Sequence, residues 1–151
     1  MREIITISGV SGLDRLNADH FREIVVTFRD TVRRHQAAIN RLNVYPVPDG
    51  DTGTNMSRTL DAVIAEIDTA TDTSMAGICA AVSHGSLMGA RGNSGVILSQ
   101  VLRGLAARFS GADVVDATVF AEAMTAAAKS AYEAVLKPIE GTILTVVRES
   151  A

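Results

Sequence analysis

Tryptophan is absent from the 151 residues, and two tyrosines and four phenylalanines are all the aromatics there are. An aromatic fraction of 4% beside a hydrophobic fraction of 47% leaves a core built from Ala, Val, Leu and Ile. That mixture suits close-packed helices better than a strand-rich sandwich. Cysteine is nearly missing too. Cys79 alone excludes an internal disulfide framework and a cysteine-based zinc site, and it reads as a small buried hydrophobe. Positive charge is not in excess: a net charge of −3 and a pI near 5.5 provide no field for a nucleic-acid backbone. Long apolar runs are lacking as well. Mean hydropathy is high at +0.21, yet no stretch approaches the ~18 residues a membrane span needs. A buried interface or a fold that continues elsewhere would account for the excess. Met1–Val10 carries Ile4, Ile5, Ile7 and Val10 without a basic leader or a long apolar centre. A loosely held N-terminal segment over 1–16 is therefore expected, not a signal peptide, and with it a cytoplasmic protein.

What is present is helical periodicity. Between Ala18 and Leu42, Phe21, Val25, Phe28, Val32, Ile39 and Leu42 recur at steps of three, four and seven, one stripe of an amphipathic helix. Asn17 or Asp19 can cap it. The other face carries Arg22, Glu23, Arg29, Arg33 and Arg34. Met56, Leu60, Val63, Ile64 and Ile67 predict a second helix from about Thr54, and 74–88 a third, with Ile78, Val82 and Leu87 inward. A fourth is expected from about Ser94 to Phe109, and an Ala-rich fifth over 113–136, able to approach its neighbours closely. A last one opens at Thr142 and reaches Ala151 without a C-cap, so the fold is expected to continue. Strand-type alternation is negligible. The sequence reads as an all-α bundle of antiparallel, amphipathic helices with short connections.

Three interruptions could carry chemistry. In Pro48-Asp49-Gly50-Asp51-Thr52-Gly53-Thr54-Asn55, two carboxylates flank one glycine. They can aim at one point only if the backbone turns sharply, as glycine permits, and converging hard oxygens suit Mg²⁺ or Ca²⁺. A calcium-binding EF-hand is rejected, because the twelfth position from Asp49 is Leu60 and not a glutamate. Thr-Gly-Thr-Asn then runs into a helix, whose open N–H groups make an anion site. The plain alternative is an Asx-type turn before a capped helix. Gly89-Ala90-Arg91-Gly92-Asn93-Ser94-Gly95 is a second glycine-rich turn into a helix. It is neither a Walker A loop nor a dinucleotide fingerprint, and alone it would pass for a helix break. Lys137-Pro138-Ile139-Glu140-Gly141-Thr142 reads as a helix stop and start, with Thr142 near the cap. His20, His35 and His84 have no metal-ligand or nucleophile–base spacing, and Ser99 and Gln100 are expected only to pack.

These three stretches, 43–56, 88–100 and 137–145, resemble the signatures of the DAK2/DhaL domain. The similarity runs from Asn17 to Ala151 and is greatest to the N-terminal nucleotide-binding domain of the bacterial fatty-acid kinase. The resemblance implies a helical barrel with ATP at one end, here incomplete at its C-terminus over 17–151. It implies that Asp49 and Asp51 hold two Mg²⁺ ions, and that Thr52, Gly53, Thr54, Asn55, Asn93, Ser94 and Gly95 meet the phosphates, with Thr142 near the nucleotide. Dihydroxyacetone kinases carry a further aspartate a few residues before the pair. The nearest position here is Asn43, a candidate metal ligand of the fatty-acid kinase type.

The implied reaction is transfer of the γ-phosphoryl group of Mg·ATP to a fatty-acid carboxylate presented by a separate DegV-like fatty-acid-binding protein, giving an acyl phosphate. A carboxylate acceptor, with a pKa of about 4–5, needs no general base. The stretch by itself is expected to be inactive, and the resemblance leaves room for a homodimer of the full-length protein. The alternatives are a dihydroxyacetone (glycerone) kinase-type subunit, a non-catalytic ADP-binding regulatory module, and a helical interaction domain whose loops are merely turns.

Overall fold

The computed structural model describes residues 14–151; the expected segment over 1–16 lies mostly outside them. Six helices succeed one another: α1 (Ala18–Leu42), α2 (Thr52–Thr69), α3 (Met75–Gly89), α4 (Gly92–Phe109), α5 (Ala117–Glu133) and α6 (Ile143–Ser150). The protein is an all-α bundle. Among the described residues the only sheet-like pairing is one antiparallel bridge between Leu16 and Val115, two backbone bonds of 2.8 Å that tie the chain before α1 to the α4–α5 connection.

Capping explains where the helices begin. Asn17 accepts the His20 N–H at 2.9 Å, and the His20 ring nitrogen accepts the Asn17 N–H at 3.3 Å, a reciprocal box with histidine in the usual Glu/Gln place. Ser74 caps α3, Asp116 caps α5 and Thr142 caps α6. The fifth helix is thus shorter than the expected 113–136, because Val115 is drawn into the bridge and Asp116 spends its carboxylate on the Val119 N–H.

α2 lies at the centre, packed against α1, α3 and α4, while α5 rests on α4 and α6 on both of these. Leu60, Val63, Val82, Leu98, Leu102 and Phe109 fill the core, with Phe109 edge-on to Phe21 at 5.1 Å. Small residues set the helix spacing. A Cβ on Gly85 would lie 2.9 Å from the Val63 Cα, and one on Gly89 2.2 Å from the Ala62 Cβ, so α3 presents its Gly85/Gly89 face to α2. That rotation turns Leu87 outward, 50% exposed, against the expectation that it points in. Gly104 meets Ala127 in the same way, and Ala123, Ala127, Ala128 and Ala131 are buried, as the alanine content of α5 predicts. The α1 stripe is also narrower than expected. Leu42 is 78% exposed at the end of the helix, and Phe28, at 37%, lines an open apolar groove of about 410 Å³ with Leu16, His20 and Ile24 that none of the described helices covers. Cys79 is buried, which pushes its thiol up to about 11, and Ser99 is buried with its hydroxyl on the Val96 carbonyl.

Candidate functional site

Both glycine-rich turns lead straight into helices, and those helices begin earlier than the periodicity indicated. α2 starts at Thr52 and α4 at Gly92, so Gly53 and Thr54, and likewise Asn93 and Ser94, lie in first helical turns. Apolar periodicity cannot register a first turn of Thr, Gly, Asn and Ser, which explains the two-residue differences. The connection between α3 and α4 is only Ala90 and Arg91.

Gly50 adopts φ +66°, the left-handed bend expected between the two aspartates. The loop is clasped from inside by Asn43. Its Oδ1 accepts the N–H groups of Asp51 (3.2 Å) and Thr52 (3.3 Å), and its Nδ2 donates to the Val47 carbonyl at 2.9 Å. Asn40, one turn earlier on α1, accepts the Thr54 N–H at 3.1 Å and donates to the Thr54 hydroxyl at 3.0 Å, which Gln36 also reaches at 3.3 Å. An aspartate at an N-cap ordinarily takes the N–H groups of the first turn. Here the asparagines of α1 take them, and Asp51 makes no capping bond. Among the described residues, the carboxylates of Asp49 and Asp51 accept no hydrogen bond and join no ion pair. Asp49 is exposed and Asp51 half-buried.

The start of α4 is open for a different reason. Arg91 occupies its N-cap, and the guanidinium donates to the carbonyls of Met88 (3.4 Å) and Ala90 (2.9 Å). A guanidinium cannot accept an N–H, so the first-turn amides of Gly92, Asn93 and Ser94 have no protein acceptor among the described residues. Gly53 in α2 is in the same position. The N-cap side chains of the four other helices all make capping bonds.

The starts of α2 and α4 meet. Gly92, at φ +60°, leaves room for the Asn55 amide, which a Cβ there would approach to 2.3 Å, and a Cβ on Gly95 would lie 2.5 Å from the Thr59 Oγ1. The Thr59 hydroxyl donates to the Asn55 carbonyl at 2.8 Å and accepts the Arg91 N–H at 3.2 Å. Asp49, Asp51, Thr52, Gly53, Thr54 and Asn55 are thereby brought to the same end of the bundle as Asn93, Ser94 and Gly95. Thr142 is not joined to them by packing, since α6 rests on α5 and α4 and does not touch α2. Its hydroxyl caps α6 through the Leu144 N–H and donates to the Ile139 carbonyl.

Gln36, Asn40 and Thr59 were not singled out in the sequence. The signal for the first two was an amide pair four residues apart among the apolar positions of α1. For Thr59 it was a hydroxyl one residue from Leu60 on a helix whose buried side is mostly apolar, with Ser57 its other buried hydroxyl. No group of three or more His, Cys, Asp or Glu side chains gathers anywhere among the described residues, and no helix there is long and apolar enough to cross a membrane.

Comparison with known proteins identifies the family. Protein YloV of Bacillus subtilis is 42% identical over 136 residues, covering 90% of this chain and 25% of its own length. Uncharacterized proteins of Staphylococcus epidermidis and Staphylococcus saprophyticus are each 40% identical over 139 residues, covering 92% of this chain. The chain therefore spans about a quarter of the length of these relatives. The DAK2 domain family matches residues 46–151, a span that contains the aspartate pair and the two later loops and begins three residues after Asn43. On that match and those identities, the chain belongs to the DAK2 domain family and is a kinase-related nucleotide-binding module.

Proposed function

We propose that the protein is the ATP-binding part of a phosphotransferase that delivers the γ-phosphoryl group to a fatty-acid carboxylate held by a separate DegV-like binding protein, forming an acyl phosphate. The observation that carries the reading is the pair of unengaged carboxylates, Asp49 and Asp51, beside the Gly53 N–H of α2 and the Gly92, Asn93 and Ser94 N–H groups of α4, which lack protein acceptors among the described residues. Two acids with no partner suit a divalent cation that takes its remaining ligands from phosphate oxygens and water, the usual manner of Mg²⁺. Asp49 and Asp51 would hold Mg²⁺, which when bound offsets the charge between the phosphates and an anionic acceptor. The N–H groups of Gly53, Gly92, Asn93 and Ser94 would take the phosphate oxygens, with the two helix dipoles aimed at them. Thr52 and Asn55 would lie beside those oxygens, Gly95 admits the close approach, and Thr142 would border the nucleotide from the α5–α6 side. In this reading Asn43 shapes the loop, because its Oδ1 is already shared by two backbone N–H groups.

The acceptor class follows from what the site lacks. Neither a serine–histidine pair nor a lysine stands at the two helix starts. A carboxylate, ionised at neutral pH, needs no base, so positioning and charge neutralisation suffice. Asn43 in place of an acid further favours the fatty-acid type over the triose type, since its Nδ2 donates a bond that a carboxylate could not.

Calorimetric titration of Mg·ATP into the full-length protein, followed by turnover with a fatty-acid-loaded carrier and with dihydroxyacetone, tests the proposal. Binding with acyl phosphate formation is the expected result. Turnover of the triose alone would reassign the acceptor. Binding without turnover of either would leave a regulatory module, and no binding would remove the nucleotide reading.

A further inference from the structure

The two helix starts can serve one triphosphate only if they keep a fixed separation, and although α2 packs against α3 and α4, hydrogen bonds between the starts are few. α2 reaches the α3–α4 connection through a single hydrogen bond among the described residues, the one from the Arg91 N–H to the Thr59 Oγ1 at 3.2 Å. The same hydroxyl donates to the Asn55 carbonyl at 2.8 Å. Thr59 is fully buried. It therefore contacts the last residue before α4 on one side and the first turn of α2 on the other. Gly95 lies against it where a Cβ would come to 2.5 Å, so α4 is seated directly on this side chain.

We infer that Thr59 is a positioning residue: its hydroxyl sets the separation and orientation of the two open helix starts, and so sets the affinity for a nucleotide polyphosphate without touching it. The inference rests on the nucleotide-binding reading of the site. The chemistry is specific to a hydroxyl, which can accept and donate at once. Valine keeps the shape of threonine but does neither. Serine does both.

The experiment compares Thr59→Val and Thr59→Ser with the unaltered full-length protein, well below the melting temperature of each. Mg·ATP affinity is measured by calorimetry, and exchange of the Arg91 and Gly95 amides by NMR without nucleotide. T59V is expected to bind Mg·ATP about 5- to 10-fold more weakly, the worth of one hydrogen bond, while T59S stays near the original value. The Arg91 N–H, bonded to the Thr59 hydroxyl, and the Gly95 N–H, bonded to the Arg91 carbonyl, should exchange faster in T59V alone. A residue that only fills the core would lower the melting temperature and leave affinity of the folded protein unchanged, and that result overturns the inference, as does equal weakening in both variants. If the unaltered protein binds no Mg·ATP, the nucleotide reading fails separately. Thr59 is then judged on exchange: faster exchange in T59V than in T59S upholds its role in setting the α4 start, and equal exchange ends it. Should T59V not fold, Thr59→Cys, which keeps the volume and accepts only weakly, takes its place and is read in the same way.

Discussion

Two regions of this chain treat polar side chains in opposite ways. At the α5–α6 elbow one carboxylate is fully engaged: Glu140 accepts from the Tyr132 hydroxyl (3.0 Å), the Thr145 hydroxyl (2.6 Å) and Arg148 (2.7 Å), while Thr145 also accepts the Gly141 N–H at 2.8 Å. At the α2 and α4 starts, two carboxylates and a set of first-turn amides are left without protein partners, although Gln36, Asn40, Asn43 and Thr59 hold the backbone around them. Saturation of this kind holds a turn in shape. Rigid backbone around unsatisfied groups is preorganisation, and it suits binding.

The sharpest way to break the comparison is to remove the acids. Asp49→Ala or Asp51→Ala in the full-length protein should lower phosphoryl transfer by about 100-fold or more and leave the melting temperature nearly unchanged, since neither carboxylate has a partner to lose. Turnover beside thermal circular dichroism would check it, and near-normal turnover in both variants removes the mechanism. Next in size, Gly92→Ala should destabilise the fold by about 1–3 kcal/mol, because a side chain at φ +60° is strained and its Cβ would press on the Asn55 amide. Urea denaturation measures that. Asn93→Ala should weaken nucleotide binding several-fold with little change in stability, and unchanged affinity would count against the second helix start.

The smallest effect belongs to the elbow. Hydrogen bonds from Thr145 and Tyr132, with help from Arg148, hold the Glu140 carboxyl below its ordinary value of 4.5. A depressed carboxyl lends stability that is present above that value and is lost as pH falls through the lower, folded one. Protection of the α6 amides, taken relative to their intrinsic exchange rate at each pH, should therefore fall in acid below about pH 4 and stay level between about pH 6 and 8. A Glu140→Gln variant, lacking the charge, should show little of this acid dependence.

Helix order, the all-α class and the alanine-mediated packing of α5 could all be read from the sequence, because periodicity and side-chain volume are local properties. The left-handed bend at Gly50 could be read for the same reason. What stayed hidden was relational. Leu87 turns outward because the Gly85/Gly89 face of α3 takes the contact with α2, a choice made by the neighbouring helix. Phe28 and Leu42 are exposed because none of the described helices extends over them. The motif positions Asp49, Asp51, Asn93 and Ser94 stood out as chemistry-bearing residues, but of the amides that relieve Asp51 of capping Asn40 did not, and Asn43 did only as a candidate metal ligand. Their contribution depends on α1 lying across the start of α2, which no spacing in the chain announces.

The two-residue link between α3 and α4 makes the second loop intolerant of length change. Each residue added to a helix start rotates the remainder of that helix by about 100° around its axis. One insertion between Ala90 and Arg91 would swing Gly95 away from Thr59 and put a bulkier side chain against it, unless the whole of α4 slid to compensate. At this junction the count of residues is itself part of the fit.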